Sequence, residues 1–251
     1  EQIAEIDVNS SLATLAKKND YCKPTISDNA QLLIKNGRHP VIEKIKDSYI
    51  ANDLVLNDEQ QLLLITGANM SGKSSYLRQN ALIILLSHIW SFVPAQKAII
   101  PETDRIFCRV GASDNLAEKQ STFMVEMQES ANIVNNATNK SFIILDEIGR
   151  GTATYDGLSI AWAIIEYLHN KIWAKTLFAT HYHELVELTA TLKKARNFSV
   201  AISENSDQIV FLYKIVPGAN IKSYGIEVAK LAGFPKEIIN SAYQLLSQLE
   251  A

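Results

Sequence analysis

Residues 61–74 read QLLLITGANMSGKS, and the change of texture between Thr66 and Gly67 sets the fold. Gln61–Thr66 is a short, continuous apolar run, the pattern of a strand buried on both faces. Gly67-Ala68-Asn69-Met70-Ser71-Gly72-Lys73-Ser74 fits G-x-x-x-x-G-K-[ST] and opens a helical stretch from Lys73 to about Ser91, closed by Pro94. The glycines permit positive φ, so successive backbone N–H groups can converge on a phosphate oxygen. The helix N-terminus adds positive potential there. In such a loop Lys73 reaches the β- and γ-phosphates, and the Ser74 hydroxyl binds Mg²⁺.

Two further buried runs lie downstream. Phe142–Leu145 ends in Asp146-Glu147, and Thr176–Ala179 ends at Thr180-His181. Before the first, Ser121–Ala137 carries Met124, Met127, Ala131 and Val134 at helical spacing, and between the two Leu158–Leu168 reads as a buried helix. Strands alternating with helices predict a mostly parallel sheet covered by helices. Ligands of such sheets gather at the carboxyl ends of the strands. Asp146 is therefore placed to hold a magnesium ion, and Glu147 to polarise a water in line with the γ-phosphate. A neutral His181 imidazole would hydrogen-bond that phosphate or that water. His183 is expected outside the site, and His39, His88 and His169 are expected to be structural.

The flanks are less regular. Glu1–Lys18 is helix-like, Asn19–Pro24 reads as a linker, and Gln31–Ile50 suggests short strands around Gly37-Arg38-His39-Pro40. Asn197–Ile202 and Gln208–Val216 flank a polar turn and predict an antiparallel hairpin. After Pro217-Gly218, two helices are expected over Tyr224–Ala232 and Pro235–Leu249. A chain that opens on a bare amphipathic helix suggests a fragment of a longer protein.

With 251 residues, 47% hydrophobic and 20% charged, the chain is long enough for a large core and too apolar for wholesale disorder. Lys+Arg of 24 against Asp+Glu of 27 argues against a self-sufficient nucleic-acid binder. The apolar stretch Ala81–Val93 is too short and polar to span a membrane. Cys22 and Cys108 match no metal spacing and read as free thiols in a reducing cytosol.

The segments TGANMSGKSSYLRQNALI, VGASDNLAEKQSTFMVEMQESANIVNNAT, DEIGRGTATYDGLSIAWAI, FATHYHEL and KSYGIEVAKLAGFPKEII resemble the ATPase domain of the MutS family of DNA mismatch-repair proteins. The resemblance runs from about Gly37 to the end. It implies an α/β P-loop NTPase of ABC type with ATP/ADP and Mg²⁺ as cofactors, and with composite sites in a homodimer. It implies a nucleotide-binding set of Gly67 to Ser75 with Tyr49, which stands where the family stacks an aromatic on adenine. Asn69 would touch the phosphates. Ser121 would reach the partner's γ-phosphate, and Thr152 would belong to the segment facing the partner. The implied division is 1–30, the end of a lever helix and linker; 31–216, the ATPase core; and 217–251, a helix-turn-helix for dimerisation. Pro235–Ala251 has one Lys against two Glu and an apolar stripe, which suits protein packing rather than base reading. Mismatched duplex DNA would be bound through domains absent from this chain. A downstream repair ATPase would be a further partner, in a bacterial-type cytoplasm.

Ala68 replaces the family's usual Pro, Ser71 the usual Gly and Ser75 the usual Thr; ATP binding is expected to survive these. Glu118-Lys119-Gln120 stands where bacterial members show smaller residues, with an expected cost to trans activation. A histidine common near the base is Ser199 here. The alternative reading is a nucleotide-gated dimerisation module of a MutS paralogue with little turnover and a non-repair role. Other ABC-type ATPases usually carry an L-S-G-G-Q signature, which this sequence lacks.

Overall fold

The computed structural model describes residues 2–46, 48–111, 121–205, 208–220, 222 and 224–249. The chain opens with α1 (Gln2–Asn19), β1 (Thr25–Ser27), β2 (Leu32–Gly37), α2 (Ile42–Ile45) and β3 (Asn52–Leu56). β4 (Leu62–Thr66), α3 (Lys73–His88), β5 (Lys97–Pro101), β6 (Ile106–Arg109) and α4 (Thr122–Asn136) follow. Next come β7 (Phe142–Asp146), α5 (Thr154–Tyr167), β8 (Lys175–Thr180) and α6 (Leu188–Thr191). The chain closes with β9 (Ala195–Asn205), β10 (Gln208–Pro217), α7 (Gly225–Leu231) and α8 (Lys236–Leu249).

Six strands form one sheet in the order β10-β9-β4-β8-β7-β6. All neighbours are parallel except the β9–β10 hairpin. Its register brings the strand ends to one edge: Thr66 lies opposite Thr180 and Ser199, and Asp146 opposite Ala179. Gly67, Glu147 and His181 therefore leave the sheet side by side.

Each central strand divides its side chains between two cores, as expected for a strand covered on both faces. Leu63, Ile65, Phe142, Ile144, Leu177 and Ala179 face one core with Leu77 and Ile83 of α3. Leu62, Leu64, Ile143, Leu145 and Phe178 face the other, with Ile133 of α4 and Ala161 and Ile165 of α5. The first core is capped by a second sheet, ordered β1-β5-β2-β3, which contributes Leu32, Ile34, Leu54 and Leu56.

Three local expectations change. Only Leu32–Gly37 of the segment 31–50 is a strand; the chain then makes the short helix α2. His39 drives this: its Nδ1 accepts the backbone N–H groups of Val41 and Ile42 at 3.3 Å and so caps the turn. Its strand partner is β3, beyond Ile50. Helix α3 stops at His88 rather than Ser91, because Trp90 adopts a left-handed φ of 63°. The segment 19–24 is anchored, with Cys22 and Val93 forming a backbone bridge.

At the far end α7 and α8 meet through a hydrogen bond from the Tyr243 hydroxyl to Glu227. Of the apolar stripe on α8, Ile239 is buried while Ile238, Leu245 and Leu249 are exposed. Among the described residues, no helix is long and apolar enough to cross a membrane.

Candidate active site

The loop after β4 has the backbone its glycines suggested. Gly67, Met70 and Gly72 take φ values of 148°, 67° and 101°. The first helical bond of α3, from Tyr76 N–H to the Gly72 carbonyl, follows at 3.0 Å. Lys73 is buried, and its ammonium folds back to donate to the carbonyls of Gly67 at 2.5 Å and Ala68 at 3.0 Å. Burial lowers its pKa, against the pull of Glu147 and Asp146, which favour the charged form. The Ser71 hydroxyl is also buried and has no hydrogen-bond partner among the described residues. Ala68, Asn69, Met70, Gly72, Lys73, Ser74 and Ser75 line a cavity of about 410 Å³ whose far wall is Glu147 and Arg150.

Asp146 ends β7 and is buried, and its Oδ1 has no hydrogen-bond partner among the described residues. Burial raises its pKa and the neighbouring Glu147 adds to this, while Ser74, Lys73 and Arg78 oppose it. Glu147 turns out of the strand at a left-handed φ of 54°, held by its N–H to the Ala179 carbonyl at 2.9 Å. Its carboxylate accepts from Arg150 at 2.5 Å. Both acids also line a polar cavity of about 380 Å³ shared with Ser74, Arg78, Arg109 and Glu126.

His181 follows β8 directly and is exposed, with its ring centroid 4.3 Å from that of Tyr182. Partial desolvation of its ring lowers its pKa, which favours the neutral imidazole; Glu147 opposes the shift and Arg150, Lys73 and His183 add to it. It lines neither cavity. Tyr49 borders a third, larger cavity of about 860 Å³ that shares Met70, Gly72 and Ser75 with the loop cavity. Its hydroxyl donates to Gln79 at 2.8 Å, and burial pushes its pKa up to about 12, which keeps the donor protonated.

Ser121 and Thr152 line none of these cavities, although their neighbours Thr122 and Gly151 line the polar one. Ser121 is exposed and caps α4, its hydroxyl accepting from Met124 N–H at 3.2 Å. Glu118-Lys119-Gln120 lies outside the described residues. Ser199 is buried opposite Thr66. His88 accepts from Thr103 N–H and His169 from Lys194 N–H, whereas the buried His183 Nδ1 has no hydrogen-bond partner among the described residues.

Sequence reasoning missed the arginines and Tyr213. Arg78 lies four residues after Ser74, one helical turn on, a spacing that would have placed it facing Asp146. Tyr213 had no local signal. It enters the large cavity from a bulge in β10 at φ 53°, with the Lys46 ammonium 4.7 Å from its ring centroid.

The model of the family described as MutS domain V matches residues 63–250. The chain belongs to the MutS domain V family. It is 57% identical over 251 residues to the DNA mismatch repair protein MutS of Fusobacterium nucleatum, covering 99% of this chain and 28% of that protein. It is 58% identical to that of Clostridium novyi and 55% identical to that of Chlorobium phaeobacteroides, again over 99% of this chain but 28% and 29% of theirs. This MutS domain V chain thus spans less than a third of the relatives it matches. The loop, both acids and His181 fall inside the family match; Tyr49 and the strands β1–β3 precede it.

Proposed function

We propose that this domain binds ATP with Mg²⁺ and hydrolyses it to ADP and phosphate, as the ATPase and dimerising module of a DNA mismatch repair protein. The observation that carries the reading is the single cavity walled by the Gly67–Ser75 loop on one side and Glu147 on the other. Loop N–H groups and the Lys73 ammonium, released from the Gly67 and Ala68 carbonyls, would take the phosphate oxygens. Tyr49 would stack on the base in the adjoining cavity. Asp146 and Ser74 are hard-oxygen donors that would hold a hydrated Mg²⁺, which the unpartnered Asp146 Oδ1 fits. Bound there, the metal would supply charge neutralisation for the phosphates.

Glu147 is assigned as general base. It takes a proton from water as the water oxygen bonds to the γ-phosphorus, and the bond to the β–γ bridging oxygen breaks to leave ADP. Arg150 must first release the Glu147 carboxylate. His181, neutral, donates to the γ-phosphate or holds the water. Ser121 and Thr152, which line none of these cavities, are assigned to the partner's site, and on that assignment the sites are composite and the fold is of ABC type. Helices α7 and α8 would form the helix-turn-helix for dimerisation, their exposed apolar side chains covered by a second copy. In this account residues 1–30 end a lever, 31–216 form the ATPase core and 217–251 the dimerisation segment. Mismatched DNA, a downstream repair ATPase and a cytoplasmic setting belong to the whole protein.

The test is ATP turnover measured against protein concentration with and without Mg²⁺. The account predicts Mg²⁺-dependent turnover whose specific rate falls on dilution. ATP-dependent dimerisation without turnover would instead favour the nucleotide-gated module of a non-repair paralogue. Failure to bind ATP at all would overturn both.

A further inference from the structure

Glu126 sits on α4 with 5% of its surface exposed, a setting that penalises a carboxylate unless it is answered. Two groups from other elements answer it. The Arg109 guanidinium, at the end of β6, lies 3.5 Å from one carboxylate oxygen, and its other side pairs with Glu129 at 2.9 Å. The backbone N–H of Gly149 donates to the other oxygen at 2.5 Å. Gly149 stands two residues after Glu147 and one before Arg150. Its carbonyl accepts the buried Tyr182 hydroxyl at 2.9 Å. Its φ of 89° and the Gly157 carbonyl oxygen, 2.5 Å from any added Cβ, leave it no alternative position. Gly149, two residues beyond Glu147, is therefore held at both its N–H and its carbonyl, and the first of these bonds belongs to α4.

We propose that Glu126 is a positioning residue for Glu147, acting through Gly149 N–H, so that the orientation of the general base follows the position of α4. The consequence is reciprocal communication between the two sites. Helix α4 begins at the Ser121 cap, and Ser121 is assigned above to the partner's nucleotide. A displacement of that helix end travels along a continuous helix to Glu126, five residues on, and reaches the subunit's own loop. The inference rests on the ATPase reading of the Glu147 site.

Two double variants isolate the hydrogen bond from the ion pair. R109M/E126L removes the acceptor and leaves no orphaned buried charge, so it is expected to fold. R109M/E126Q also lacks the ion pair but keeps a carbonyl that can accept from Gly149. Each is built in the intact protein that carries this chain and checked by thermal melt. Turnover is resolved into kcat and KM for ATP, and amide exchange is followed at Gly149 by mass spectrometry. R109M/E126L should lose kcat by about ten- to hundred-fold with KM changed less than about three-fold, the scale of a lost bond to a charged acceptor. Exchange at Gly149 should quicken by about ten-fold or more. R109M/E126Q should recover most of both. Equal kcat in the two folded variants, with the wild type active, overturns the inference and leaves the ATPase reading intact. An inactive wild type overturns that reading, and unchanged Gly149 exchange in R109M/E126L then overturns the positional claim as well.

Discussion

Replacing Lys73 with methionine separates what the lysine does for the fold from what it does for a ligand. The ammonium is buried and, among the described residues, bonds to the Gly67 and Ala68 carbonyls; Ala68 and Lys73 line the open loop cavity, from which water can replace it. Burial already lowers its pKa, so the folded state holds the cation reluctantly. Methionine keeps the stem in place and removes the desolvated charge. The melting temperature of the free protein should stay within about 2 °C of wild type or rise, a change of under about 1 kcal/mol for a domain this size. The ligand-dependent part behaves oppositely. At an ATP concentration of about 100 times Kd, the wild type gains about 2.7 kcal/mol. For a domain of this length that raises the melting temperature by about 5–11 °C. Charge-assisted bonds to two phosphate oxygens, at about 1.5–3 kcal/mol each, put the affinity loss in K73M at about a hundred-fold or more. The same ATP concentration then yields no more than about 0.4 kcal/mol, or about 2 °C. The assay is a thermal melt of both proteins with and without Mg²⁺-ATP. A K73M protein that keeps the wild-type shift would refute the placement of Lys73 on the phosphates. A free K73M protein that melts far below wild type would refute the view that the buried ammonium is held for a ligand.

Three further outcomes follow from the same geometry. Gly157→Ala drives a Cβ into the Gly149 carbonyl and the Tyr182 hydroxyl, and overpacking of this kind costs about 1–3 kcal/mol, so calorimetry should show a melting temperature lower by about 2–12 °C. Asp146 has a raised folded-state pKa, so the free protein gains stability as pH falls from that raised value toward the ordinary carboxylate range; Asp146→Asn should abolish this rise, stabilise the free protein at pH 7, and remove the Mg²⁺ dependence of ATP binding. His181 has a lowered folded-state pKa, so it binds its proton later than in the unfolded chain and stability falls as pH drops below about 6.5. Its NMR titration midpoint should lie below that value, and a midpoint above it would contradict a neutral imidazole at the site.

The parts of the fold that were legible are those whose signal is local. The runs at Leu62–Ile65, Phe142–Leu145 and Leu177–Ala179 are buried on both faces and wholly apolar, and the glycine turn after the first names its own ligand chemistry. The strands β1, β3, β5 and β6 escaped because they are short and three of them are capped on one side only, which leaves mixed patterns such as Asn52–Leu56. The α2 turn depends on one His39 side chain folding over two backbone donors, a contact that spacing does not encode. At the site the same division holds. Asp146, Glu147 and His181 were found because each follows a readable strand. Arg150 was passed over within a motif otherwise read for its glycines and Thr152. The Glu126–Gly149 bond joins residues 23 apart across two elements, and its only trace in the sequence is a single acid in the apolar run FMVEM.

The central claim is that one cavity assembles a phosphate loop and a general base around a single triphosphate. Its most direct test is a pair of measurements on Glu147→Gln: ATP affinity by equilibrium titration and turnover by phosphate release. The account predicts affinity within about three-fold of wild type and turnover reduced by about a hundred-fold or more, the scale of a lost general base. Turnover at the wild-type rate in Glu147→Gln, with ATP bound, would contradict it.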